Sequence, residues 1–117
     1  MANPQGFSAG DFLVFQIESG YGLMRVLSIN EGDSEPLWHL RVYRDLFPEI
    51  DYAELAIASP ESLTPEITHI ALTDRAFEST QVSKLGNVAI NDGERKLISD
   101  WDGEVSDRSI RLTLGLR

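Results

Sequence analysis

The stretch from Phe12 to Ile29 constrains this chain more than any other part of it. In Phe12-Leu13-Val14-Phe15-Gln16-Ile17-Glu18, the residues Leu13, Phe15 and Ile17 share one side of an extended strand, and Phe12 and Val14 share the other. A strand that is apolar on both sides must be covered on both sides, as in a small barrel with an extra layer over it. Ser19-Gly20-Tyr21-Gly22 supplies glycines for a tight turn. Leu23 to Ile29 returns as a second strand, so the pattern predicts a hairpin over 12–29 with its turn at Ser19–Gly22.

Further strands follow. From Leu37 to Arg44 the alternation sends Trp38, Leu40 and Val42 one way and His39, Arg41 and Tyr43 the other. The first set is expected in the core and His39 and Arg41 nearer solvent. Ile67 to Thr73 is dominated by β-branched residues and reads as a fourth strand. Ser109 to Leu116 reads as a last one, with Ile110, Leu112 and Leu114 inward and Arg111 outward. Between Asp45 and Pro65 the period fails at Pro48, Pro60 and Pro65, and the segment reads as irregular, although Asp51 to Ala58 also fits a helical turn or two or a short strand. Asp74 to Lys84 is mostly polar, with Phe77, Val82 and Leu85 as anchors, and Gly86-Asn87 reads as a break. Asn91 with Glu94 three residues on has the spacing of a capping box, which predicts a helix near 92–101 closed by Gly103. On that helix Leu97, Ile98 and Trp101 fall on one stripe that docks on the sheet. Arg95, Lys96 and Asp100 take the solvated side.

The expected fold is therefore mainly β with α additions: a small, strongly bent antiparallel sheet or SH3-like barrel with one short helix in the C-terminal half. At 117 residues the chain fits one domain. Residues 1–9 read as a short leader in which only Phe7 packs. There is no cysteine, which excludes disulfides, thiolate metal sites and a cysteine nucleophile. No apolar run approaches the ~20 residues of a membrane span, and the N-terminus lacks a signal-peptide pattern. The expected setting is cytoplasmic, with no membrane partner.

Charge narrows the partners. Lys and Arg total 10 against 19 Asp and Glu, a formal net charge of −9. From Asp45 to Asp74 the sequence carries seven acids and no Lys or Arg. Such a stretch repels nucleic-acid phosphates and would steer a basic protein inward. Asp45, Glu49, Asp51 and Glu54 are its candidate binding residues. His39, Arg41 and Tyr43 form a second candidate, since a Tyr-Arg-His stripe has the composition of an interface hot spot. The competing reading is a sheet face covered by the 45–65 segment.

Catalytic signatures are sparse. No phosphate-binding glycine loop and no nucleophile elbow occurs; Gly20-Tyr21-Gly22 sits in a hairpin and not between strand and helix. His39 and His69 both fall on strands and could share a metal with an acid such as Asp45 or Asp74. The local His-x-Glu, His-x-Asp or HExxH spacings of such sites are missing, so no metal, cofactor or catalytic residue is expected. Asp100/Asp102 and Glu49/Asp51 read as solvated carboxylates.

Phe7-Ser8-Ala9-Gly10-Asp11-Phe12-Leu13-Val14-Phe15, followed by Gly20-Tyr21-Gly22-Leu23-Met24-Arg25-Val26-Leu27, resembles the opening of the immunity protein 26 family. Fainter echoes are His69-Ile70-Ala71-Leu72 and Leu85-Gly86. Members of that family protect bacteria against polymorphic toxins. The resemblance, over residues 7–29, implies a non-enzymatic binding protein of the immunity or antitoxin kind. It carries no family binding residues with it. The rival expectations are a small metal- or ligand-binding enzyme built around His39 and His69, and a self-associating structural domain.

Overall fold

The computed structural model describes residues 7–17, 20–30, 37–73, 82–103 and 105. Its strands are β1 (Asp11–Ile17), β2 (Gly20–Asn30), β3 (Leu37–Phe47), β4 (Pro65–Thr73) and β5 (Val82–Asn87). They form one antiparallel sheet in the order β4-β3-β2-β1-β5. Helix α1 (Ile50–Ile57) and a 3-10 turn (Pro60–Ser62) lie between β3 and β4, and α2 (Asp92–Ser99) follows β5. The mainly β fold is as expected. Among the described residues β4 and β5 are edge strands and the sheet does not close on itself. Register shifts in the β1–β5, β2–β3 and β3–β4 ladders mark bulges, which bend strands and raise their twist.

Both sides of β1 are indeed covered. Leu13 and Phe15 join Met24, Val26, Trp38, Leu40, Val42 and Leu72 in one cluster, and Phe7 packs edge-on against Trp38. Phe12 and Val14 join Leu23, Tyr43, Ala53 and Leu63 in a second cluster on the other side. The second cluster is roofed by α1 and by Leu63, the residue after the 3-10 turn.

Four expectations need correction. The hairpin turn is earlier than Ser19–Gly22: Ile17 pairs with Gly20, and Gly20 to Gly22 belong to β2. Gly22 is required for packing, because it lies opposite Phe15 and a Cβ there would sit 2.3 Å from the Phe15 ring. The 45–65 segment is not irregular, since it holds the end of β3, α1 and the 3-10 turn. Val82 to Asn87, read as a loop and a break, is the edge strand β5. There is a second helix beyond the one expected, and α2 stops at Ser99, before Gly103. Phe77, Ile110, Arg111, Leu112, Leu114 and the 109–116 strand lie outside the described residues.

Gly10 and Asp11 tie the N-terminal arm to β5. Gly10 adopts φ +93°, a left-handed conformation that favours glycine, and a Cβ there would lie 2.5 Å from the Val88 carbonyl oxygen. The fully buried Asp11 carboxylate accepts from the Ser8 amide at 2.9 Å and the Asn87 side-chain amide at 2.8 Å. Lys84 Nζ stands 3.3 Å away. Among the described residues no helix is long and apolar enough to cross a membrane.

Candidate functional site

The seven candidate binding residues do not share one surface. His39, Arg41 and Tyr43 line the inner side of β3 under α2 and the 3-10 turn, whereas Asp45, Glu49, Asp51 and Glu54 run outward along the end of β3 and α1.

The inner group is organised by a carboxylate that its capping role half reveals. In the β2–β3 register Arg25 stands directly opposite Arg41, a like-charge pair that would oppose strand pairing. Glu94, in the first turn of α2, resolves the conflict: Oε1 is 3.3 Å from Arg25 Nη2 and Oε2 is 3.0 Å from Arg41 Nη1. The same side chain closes the capping box expected from Asn91, accepting from the Asn91 amide at 3.1 Å while Asn91 Oδ1 accepts from the Glu94 amide at 2.8 Å. Arg25 also donates to the Val88 and Ala89 carbonyls at 2.7 and 3.1 Å, and its guanidinium sits 4.8 Å over the Phe12 ring. Tyr43 stacks on Phe12 with ring centroids 6.1 Å apart. Burial pushes its phenol up, against the opposing pull of Arg41 and Arg25. A cavity of about 470 Å³ opens beside this cluster, walled by Arg41, Tyr43, Leu63, Val88 and Glu94 among others.

His39 was expected nearer solvent than Trp38, and it is fully buried. Register explains its partner: His39 pairs with Ala71, which puts His69 diagonally across the β3–β4 ladder. His39 Nδ1 and His69 Nε2 are 2.8 Å apart, with the rings stacked at 5.1 Å. Trp101, two residues past the end of α2, closes edge-on over His39 at 4.8 Å. The nitrogens of two histidines on one tetrahedral zinc stand about 3.3 Å apart, from zinc–nitrogen bonds near 2.05 Å. At hydrogen-bond distance the pair shares a proton, one ring donating and the other accepting. Beside it is a cavity of about 350 Å³ lined by His69, Asp100, Trp101 and Asp102. Among the described residues no group of three or more His, Asp or Glu is placed to hold a metal ion.

Both histidines titrate below the usual 6.5. Burial is the main cause for each, reinforced by His69 at His39 and by Arg41 at His69, where Asp102 pulls the other way. A base whose pKa falls on folding binds fewer protons folded than unfolded. Its contribution is complete above 6.5 and is lost as pH falls through the lowered folded values. Wild-type stability should therefore fall as the pH drops below 6.5 more steeply than that of a His39→Gln/His69→Gln variant, measured by urea unfolding. Parallel pH profiles would assign the acid sensitivity to other groups.

The outer group has a different character. Asp45 is half-buried, and its Oδ1 accepts from the Thr64 amide at 2.6 Å, so it fastens the chain after the 3-10 turn to β3. Glu49 is the N-cap of α1 but makes no side-chain capping bond, and Asp51 and Glu54 are exposed. α1 turns Ala53, Ala56 and Ile57 toward the second cluster. Its other side carries Tyr52 and Leu55, 54% and 73% exposed, adjacent at the three-residue spacing. Leu46 and Ile50 are also exposed, so four of the five exposed large apolar residues described fall between 46 and 55. The sequence pointed to the acids of this face and missed its apolar half. No family model, curated protein or solved structure matches the chain.

Proposed function

We propose that the chain is a non-enzymatic binding protein of the immunity or antitoxin kind, acting in the cytoplasm, that captures a basic protein on the outer face of α1. The supporting observation is the coincidence of Leu46, Ile50, Tyr52 and Leu55 with Glu49, Asp51 and Glu54 on one exposed stretch. Most large apolar side chains among the described residues are buried, and the fold gives no packing reason for Leu55 to stand in water. Contiguous exposed apolar groups rimmed by charge are how partner sites present themselves. The apolar residues supply contact energy on desolvation, and the acids supply steering and choice of partner. Nucleic acid is disfavoured by the same charge. The resemblance of residues 7–29 to an immunity family points to the same class of function by a separate route.

The test is retention of basic proteins from a lysate of the source organism, at low and high salt, on immobilised wild type and on Tyr52→Ala/Leu55→Ala. Wild type should retain a basic protein at low salt, and the double variant should lose it by about tenfold or more while melting like wild type. Equal retention by both, or no basic partner at low salt, would sink the proposal.

A further inference from the structure

We infer that the cavity between β3, the 3-10 turn and the first turn of α2 is a binding site for a small monocarboxylate carrying an apolar aromatic or branched group. This goes beyond the docking role of α1, which uses other residues. Three observations carry it.

The first is charge. Two guanidiniums, those of Arg25 and Arg41, converge on the single carboxylate of Glu94, with side chains only 3%, 17% and 5% exposed. In a chain with nearly twice as many acids as bases, this is a concentration of positive charge in a desolvated place, where an added anion gains most. The second is an unmet donor. Among the described residues Arg25 Nε is buried with no hydrogen-bond partner, although Nη2 of the same group has the Val88 and Ala89 carbonyls and Glu94. Nε has no accessible surface, so it is not itself a contact for a ligand; it leaves the guanidinium's charge incompletely answered within the cluster. The third is the wall. Leu63, Val88, Ala89, Pro60 and Pro65 give the cavity of about 470 Å³ an apolar lining beside its polar end.

A planar carboxylate matches the guanidinium fork, and the lining takes an apolar group. Glu94 in the wall and Glu61 at the rim weigh against a second negative charge, which separates a monocarboxylate from phosphate. The α2 amides are not needed for it: that of Glu94 is bonded to Asn91 Oδ1, and Asp92 and Gly93 are not in the lining.

The experiment is an NMR titration of the full chain with benzoate, benzamide and phosphate. It follows the Arg Nε–H resonances and the amides of residues 88–91. Benzoate should give saturable shifts at Arg25, Arg41 and those amides, with neutral benzamide and phosphate at least about tenfold weaker. Ala89→Trp, at an exposed lining position, should block the site while leaving the fold alone, and Arg41→Gln should weaken benzoate by about tenfold or more. Linear, unsaturable shifts to tens of millimolar would overturn the assignment. So would benzamide or phosphate binding as tightly as benzoate, or Ala89→Trp binding benzoate like wild type.

Discussion

Glu94→Gln should destabilise the domain by about 3–5 kcal/mol, the range for breaking a buried ion pair by removing one partner. The reason is what stays behind. Arg25 and Arg41 remain directly opposed across the β2–β3 ladder, largely out of water, with no carboxylate between them. Glutamine preserves the shape and can still accept one hydrogen bond, so the loss reports charge and not a cavity. Glu66→Gln is the control. Its partner Arg44 is two-thirds exposed, and such surface pairs contribute about 0–1 kcal/mol. Urea unfolding of both variants near neutral pH makes the comparison. A Glu94→Gln loss no larger than that of Glu66→Gln would mean that solvent screens the cluster after all.

Trp38→Ala should cost a similar amount, about 3–5 kcal/mol, for deleting a large buried aromatic. Trp38 has no exposed surface, sits between Leu37 and His39 in a strand paired on both sides, and meets the Phe7 ring edge-on at 6.1 Å. Removing it leaves a void that touches the N-terminal arm as well as the sheet, so collapse around it can recover only part of the loss. A thermal melt barely below wild type would place Trp38 outside the core.

These two residues differ in how far the sequence reveals them. Trp38 follows from alternation alone, because Leu40 and Val42 repeat its phase. The phase of His39, Arg41 and Tyr43 is equally legible, and so is one cover for it, the 45–65 segment, from which Ala53 and Leu63 do pack with Tyr43; the full burial of the face is not. It depends on α2 and the 3-10 turn arriving over that face, which no local period encodes. The capping box gives Glu94 to the sequence reader as a helix start, but the two arginines that share it are remote in the chain. β5 hides for a simpler reason: its edge position leaves Ser83 and Lys84 in solvent, and Gly86-Asn87 look like punctuation. α1 is the most instructive omission. Ala, Leu and Glu favour helix there, but Tyr52 and Leu55 face out while Ala53 and Ile57 face in, so no amphipathic stripe survives. The exposure on which the proposed docking face rests is also what erases the signature of α1.

Amide hydrogen exchange with and without the captured basic protein tests that docking face most directly. Protection gained on complex formation should centre on residues 46–58, with Tyr52→Ala/Leu55→Ala showing none at the same concentrations. Unchanged exchange through α1, with the gain instead along another part of the sheet, would contradict it.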